Sequence, residues 1–414
     1  MITINKPYLE KGEKSTRLCC NVVLDGKDNI LWYEVDNEYA DYLCYEKADS
    51  FLIAILPFAM VYSHDIKVVD SPISERLMWQ LKSIYIPSLA KFSHYYNSIK
   101  IISDISSEKY DSFAVGTGFS AGVDSFYTFL TNRNQRTTQY NITHAVFLNV
   151  GANGSFGGEN ARQRYHSRIA LYEDYLREHG YKFVCVDSNV NEFSMMSFNY
   201  VHTFMSLSAI IAMQKLFKVY YYSGADGVDS FSLDPTDSAH YDLLSTQMFS
   251  TESLMFYSTG ISERRIEKTE FISNYPETYS LLNVCNSHDT NCKTCEKCIR
   301  TMSGLYAVGK LDCYSEVFDV DYYNKHLAKN LAMLLAKSAD GSVEGALSPE
   351  IFKKIKENKK RIPLMTYVYF IPYWFKFVSI NIAKTIKPLR KWWHNRNHKL
   401  YGVRYNDVEE NQNQ

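Results

Sequence analysis

From residue 111 the chain alternates between short apolar runs and longer amphipathic ones, and each short run ends among Gly, Ser, Asn or Asp. Phe113–Phe119 reads as a strand and Val123–Leu130 as the start of a helix. Thr143–Val150 is the next strand, followed by a helix over Ala161–His179 that stops at Gly180. Lys182–Val186 is a third strand closed by Asp187-Ser188, Thr203–Leu216 a helix, and Lys218–Tyr222 a fourth strand ending at Gly224. Strands alternating with helices of this length predict an α/β unit with a parallel sheet covered on both faces. Ligands of such sheets sit beyond the carboxyl ends of the strands. Those ends are Ser120–Ser125, Asn149–Gly151, Asp187-Ser188 and Gly224-Ala225-Asp226, four polar segments predicted to share one rim.

The first of them, Ser120-Ala121-Gly122-Val123-Asp124-Ser125, has the chemistry of a phosphate grip. Small residues after a strand let successive N–H groups point at one cluster of oxygens. The following helix adds the positive end of its dipole, and the Ser120 and Ser125 hydroxyls add donors. Asp124 repels phosphate, so it is expected to help hold Mg²⁺ or to orient the turn. No lysine follows as in a G-x-x-x-x-G-K-[ST] loop. An ordinary strand-to-helix turn uses the same residue types, and the hexapeptide alone leaves both readings open.

About 160 residues later come Cys285, Cys292, Cys295 and Cys298, a C-x6-C-x2-C-x2-C run followed by Ile299-Arg300. Spacings of three can turn three thiolates toward one point while Cys285 reaches in from the preceding loop. Four thiolates suit tetrahedral Zn²⁺ with no position open for catalysis, which makes the expected site structural. C-x2-C-x2-C also occurs in iron–sulfur ligation, so that alternative stays open. His288, inside the loop, is a spare ligand candidate.

Taken together, these motifs carry a resemblance. Ser120–Ser125 is similar to the S-G-G-x-D-S loop of the ATP pyrophosphatases, the PP-loop superfamily, with Ala121 in place of the first glycine. A methyl group is tolerable there if φ is negative. The loop, the cysteine run and Lys268-Thr269-Glu270-Phe271-Ile272 between them occur in the order found in the 7-cyano-7-deazaguanine synthase family, and the likeness spans residues 112 to 310. It implies a parallel-sheet PP-loop domain (HUP, or adenine nucleotide alpha-hydrolase-like) with a zinc knot on Cys285, Cys292, Cys295 and Cys298. It also implies ATP and Mg²⁺, with Ser120, Ala121, Gly122, Val123 and Ser125 around pyrophosphate and Asp124 supporting the metal. Lys268 becomes the cationic partner of the phosphates, Arg265 its assistant, and Asp187, Gly224 and Asp226 adenosine or metal contacts. Asp187 and Asp226 are each also placed to cap a helix, Asp226 the more so.

The family's substrate-pocket segments depart. Arg162-Gln163-Arg164-Tyr165-His166 is a loose echo of one, displaced by the Gly-rich Gly151–Gly158. A second is replaced around Val201-His202-Thr203, and a third is absent from Gly224–Ser245. The resemblance therefore implies an ATP-dependent ligase that adenylates a carboxylate or amide oxygen, with ammonia or another nucleophile then displacing AMP, on a different substrate. Two other classes compete: an RNA-thiolating enzyme whose knot holds iron–sulfur, and a non-catalytic nucleotide-binding scaffold.

Charge and apolar patterning frame the rest. Residues 1–110 read as a separate α+β accessory domain: Leu18–Leu24 and Asn29–Val35, joined through Asp25-Gly26, form a hairpin pattern, Phe51–Tyr62 is apolar, and Ser74–Tyr85 and Ser88–Tyr96 look helical. Residues 111–313 are the PP-loop-like domain, and 314–414 a helical, basic, aromatic extension. Between Lys353 and Arg404 stand 14 Lys or Arg and one acid, Glu357, so this segment carries +13 and the remainder −14. Ile362–Ile382 is apolar but holds Pro363, Pro372 and Lys376, and Trp392-Trp393 lie in the basic flank. The pattern predicts an arm at an anionic membrane surface or on a partner protein ahead of a true span, with RNA as a further candidate. Met1-Ile2-Thr3-Ile4-Asn5 lacks a charged segment followed by an apolar one, and nine cysteines with four clustered suit a reducing compartment. The expected setting is the cytoplasm, with peripheral contact at the inner membrane surface, and the expected assembly a homo-oligomer.

Overall fold

The computed structural model describes residues 1–385 apart from 94, 155, 195, 235, 286–287 and 339–342. Two units divide it, Met1–Thr290 and Asn291–Gln414.

An 11-stranded sheet organises the first unit. Its parallel part holds five strands, Ala114–Gly118, His144–Asn149, Lys182–Ser188, Phe217–Ser223 and Met255–Thr259. Numbered along the chain, these run 3-2-1-4-5 across the sheet, the order of doubly wound dinucleotide-type folds. The switch point lies between Ala114–Gly118 and Phe217–Ser223, whose neighbours diverge in opposite directions. Helices Val123–Asn132, Glu159–Glu178 and Phe198–Ile211 fill the first three crossovers. Side chains alternate between two apolar layers, as the pleat requires. Val146, Val184 and Val186 join a core with helices Asp49–Val61 and Phe198–Ile211. Phe147, one position on from Val146, stacks instead on Tyr165 of Glu159–Glu178 and meets Tyr172 edge-on.

The first 110 residues do not stand apart from this sheet. The hairpin Ser15–Leu24 and Lys27–Asp36 turns at Asp25 and Gly26, both with positive φ, as Asp-Gly turns do. Its second strand then adds antiparallel to Lys182–Ser188, pairing Glu34 with Asp187 and Tyr33 with Ser188. Ile2–Ile4, Ile66–Val68 and Ile101–Ile102 continue outward. The apolar run Phe51–Tyr62 is a helix, Asp49–Val61, that keeps Pro57 inside it and buries almost every residue. Strands from both sides of residue 110 thus share one sheet.

In the second unit Glu296–Val308 ends at Gly309, left-handed with φ 77°, and is followed by Val320–Lys325, Leu327–Lys337, Val343–Glu357 and Met365–Thr385. Leu305, Leu331, Leu334, Ile351 and Ile355 are buried among them, and Ser303 Oγ lies 2.7 Å from the Tyr323 hydroxyl. Helix Met365–Thr385 packs on Leu327–Lys337 and leaves Tyr367, Val368, Ile371, Trp374 and Phe375 exposed. Among the described residues no helix is long and apolar enough to cross a membrane. Trp392-Trp393 and most of the basic flank lie outside the described residues.

Candidate functional site

Beyond Ala114–Gly118 the chain turns through Ser120–Gly122 into Val123–Asn132, with Gly122 as its N-cap. The turn is closed from within. Ser120 N donates to Ser125 Oγ at 3.0 Å, and Ser125 Oγ donates to Gly118 O at 3.1 Å. The Ser125 hydroxyl thus holds the turn's shape, and Val123 is buried as an anchor, whereas Ser120 remains exposed. Ala121 is fully buried with φ 54°, so the condition set for it from sequence, a negative φ, is not met. The left-handed region suits glycine and costs an alanine about 1 kcal/mol. Asn283 N donates to Ala121 O at 2.9 Å and helps hold that geometry.

Helix Arg265–Ile272 brings two cations to Asp124. Its start is a capping box in which Arg264 N donates to Glu267 Oε2 at 2.7 Å. Arg265 and Lys268, three apart, share a face. Arg265 Nη2 lies 2.6 Å from Asp124 Oδ2, and Lys268 Nζ lies 3.4 Å from Asp124 Oδ1. Lys268 is 0% exposed and also donates to Gly224 O at 2.7 Å. Glycines on either side keep this region open, Gly260 against Lys268 itself and Gly224 against Ser258. A Cβ on Gly224 would meet Ser258 Oγ at 2.9 Å, and one on Gly260, at φ 73°, would stand 3.2 Å from Lys268 Cε. Asp124 and Gly224 follow the two strands that flank the switch point. The group carries one net positive charge, and Arg265 Nε is buried with no partner.

Asp187, on the other arm of the rim, is consumed by structure. Its Oδ1 accepts from Asn149 Nδ2 at 2.7 Å and Ser188 N at 2.8 Å, and its Oδ2 from Arg162 Nε at 3.2 Å. Arg162 also pairs with Glu192 and lies over the Trp32 ring. Burial nonetheless pushes the Asp187 carboxyl upward, with Asn149 and Arg162 opposing.

Past Phe217–Ser223 lies a group that motif reading did not single out. His202 Nε2 stands 2.8 Å from Asp237 Oδ1, and His202 Nδ1 3.0 Å from the Tyr222 hydroxyl. Asp242 is buried, accepting from Ser258 Oγ at 3.2 Å, and burial beside Asp226 pushes its carboxyl up to about 7. Asp226 is also raised, by burial first and then by Asp237 and Asp124, against His240 and Arg265. Asp226 caps no helix; Gly227 precedes the short turn there. Asp237 goes the other way, held low by its bond to His202 in spite of burial. A lone histidine and carboxylates some 35 residues on form no sequence motif, so only the fold unites them.

No family model, curated protein or solved structure matches this chain.

The sulfurs of Cys285, Cys292, Cys295 and Cys298 all lie within 4.8 Å of one another, and no other such group of His, Cys, Asp or Glu occurs among the described residues. Cys292 Sγ and Cys298 Sγ are 4.0 Å apart. Sulfurs around one tetrahedral Zn²⁺, each about 2.3 Å from it, lie about 3.8 Å apart. Cys295 caps Glu296–Val308, its sulfur accepting from Cys298 N, and Cys295 N in turn donates to Cys292 Sγ at 3.3 Å. Arg168 Nη2 steadies the preceding loop by donating to Cys285 O and to His288 O. His288 Nδ1 approaches Cys285 Sγ only at 3.8 Å and stands outside the four-sulfur group. These four cysteines can hold a metal ion such as zinc.

Proposed function

We propose that this protein is an ATP-dependent adenylating ligase: a carboxylate or amide oxygen of its substrate attacks the α-phosphorus of ATP, pyrophosphate leaves, and a nitrogen nucleophile then displaces AMP. One observation carries the reading, the convergence of Asp124, Arg265 and Lys268 at the N-terminal end of Val123–Asn132, beside the switch point. Catalysis of this kind is positioning plus neutralisation of charge on phosphate oxygens. Arg265 and Lys268 supply the neutralisation, the exposed Ser120 and the amides at the helix start supply donors, and Asp124 is the carboxylate available to Mg²⁺. Phosphate oxygens complete the coordination of that ion, which needs only one or two protein carboxylates. Zn²⁺ fits the four thiolates as a structural ion with no open position; an iron–sulfur cluster, with several iron atoms between the sulfurs, spreads them farther. The exposed apolar face of Met365–Thr385, within the segment carrying +13, is read as a contact for an anionic membrane surface.

The test is ATP turnover by the purified protein in host-cell extract, with AMP resolved from ADP and metal content measured alongside. AMP and pyrophosphate are expected, lost in Asp124→Ala, with one zinc per chain. Folded, metal-replete protein that yields only ADP or nothing overturns the reading.

A further inference from the structure

The loop that carries Cys285 is bonded to two of the four rim segments. Asn283 makes the first link. Its N–H donates to Ala121 O at 2.9 Å, inside the turn that follows Ala114–Gly118. Its side chain serves the cysteine loop: Oδ1 accepts from Cys285 N at 3.3 Å, and Nδ2 donates to Asp289 O at 2.6 Å. One residue thus holds the turn through its backbone and the cysteine loop through its amide.

The bond to Ala121 O decides where a donor points. In a planar trans peptide the carbonyl and the following N–H are directed oppositely. By drawing the Ala121 carbonyl toward itself, Asn283 aims Gly122 N–H the other way, and that N–H donates to no acceptor among the described residues. Gly122 is the N-cap of Val123–Asn132, so its donor stands where the helix dipole favours an anion. Ala121, at φ 54°, has no preference of its own for this arrangement and depends on its neighbours to keep it.

Arg168, on helix Glu159–Glu178 and 9% exposed, is the second link. Its Nη2 donates to Cys285 O at 2.5 Å and to His288 O at 2.8 Å, while Nη1 donates to Asn153 Oδ1 at 3.2 Å. Asn153 is buried in the Gly-rich loop, and its Nδ2 donates to Asn149 Oδ1 at 3.4 Å. Asn149 ends the strand His144–Asn149. The path Cys285–Arg168–Asn153–Asn149 therefore reaches a second rim segment through buried polar contacts.

We propose that Asn283 is a positioning residue for the bound nucleotide, and that through it the state of the four cysteines governs the affinity for ATP. This inference rests on the adenylating reading. Tied to Cys292, Cys295 and Cys298 around a metal ion, Cys285 is a fixed point; it anchors Asn283, and Asn283 keeps Gly122 N–H aimed for phosphate. Arg168 steadies the Asn149 segment from the same anchor. Without the metal Cys285 is no longer fixed, and the turn regains conformations that aim the donor elsewhere. Metal and nucleotide then bind cooperatively, each strengthening the other by one common factor.

The experiment uses the full chain, loaded with Zn²⁺ or stripped of it under reducing conditions. The probe is α,β-methylene-ATP with Mg²⁺, which cannot release pyrophosphate, and its Kd is read by calorimetry. The metal-free chain is expected to bind it about fivefold or more weakly than the zinc-loaded chain. Saturating probe is expected to lower the Kd for Zn²⁺, read by competition with a chromophoric chelator, by the same factor. Zinc-loaded Asn283→Ala is expected to bind the probe about fivefold or more weakly than wild type and to lose the reciprocal effect on Zn²⁺. A residue that only stabilised the fold would lower the melting temperature and leave that reciprocity in place. Should the metal-free chain lose its near-UV circular dichroism, zinc-loaded Asn283→Ala and Arg168→Lys carry the test. A folded metal-free chain, or zinc-loaded Asn283→Ala, that binds the probe as tightly as zinc-loaded wild type sinks the inference and leaves the adenylating reading intact. No binding of the probe by zinc-loaded wild type sinks both.

Discussion

Asp187 and Asp242 lie at opposite arms of one rim, and both are largely buried carboxyls whose protonation is favoured by burial. They differ in what surrounds them. Asp187 receives Asn149, Ser188 N and Arg162, so both its oxygens are taken. Asp242 has one serine hydroxyl and an oxygen left open. Asp187, fully bonded, fastens the segments around it; Asp242, at the start of helix Asp242–Met248, keeps a buried oxygen that no donor among the described residues meets. The resemblance names Asp187 as a ligand contact and does not name Asp242, whose open oxygen only the fold reveals.

The comparison can be broken most sharply at Asp242. Its folded-state value, about 7, lies above its ordinary value of 3.8. The folded state therefore binds this proton more tightly than the unfolded chain does. The associated stability is fully present below about pH 4 and is lost as pH rises through about 7. Asp242→Asn removes the dependence. Urea melts are expected to show the variant gaining about 2–3 kcal/mol on wild type between pH 5 and pH 8. A difference between the two chains that does not change with pH would mean that Asp242 is not the buried acid described.

At the closed arm the sign is opposite. Arg162→Ala leaves the Asp187 and Glu192 carboxylates without their cation, and because the pair is partly solvated the loss is expected to be about 1–2 kcal/mol at pH 7. It should fall chiefly on stability, read by thermal melting, and leave AMP formation by the folded protein where it was. Between the arms, Ala121→Gly relieves the left-handed alanine and is expected to stabilise by about 1 kcal/mol, the smallest of the three effects. A loss of stability on that change would show the turn to be unstrained.

Much of the scaffold was legible because it obeys local rules. The Asp25-Gly26 hairpin, four of the five parallel strands and the helices between them follow from apolar runs and glycine punctuation. The cysteine spacing and the Lys268 element likewise led to side chains that the fold brings into their groups. What escaped is non-local. Nothing in Lys27–Asp36 announces that it pairs with Lys182–Ser188, since a strand's pattern fixes which face it buries and not which edge it joins. Met255–Thr259 is short and rich in Tyr, Ser and Thr, so its place as the fifth parallel strand comes from Phe217–Ser223 beside it. The φ of Ala121 is set by a turn closed through Ser125 and Asn283, and sequence showed only that a glycine was missing. His202, Asp237 and Asp242 lie on separate elements, and no spacing rule links them.

The antiparallel strand beside Lys182–Ser188 also sets a schedule. Ser188 Oγ donates to Trp32 O, a bond between residues 156 positions apart. On a ribosome adding about 5–20 residues each second, the hairpin Ser15–Leu24 and Lys27–Asp36 emerges roughly 8–30 s before its partner strand exists. For that interval Lys27–Asp36 is an unpaired edge, open to the same segment of a neighbouring nascent chain. Polysome crowding and chaperone supply will therefore govern the yield of this protein through its first forty residues, long before any residue of the rim has been made.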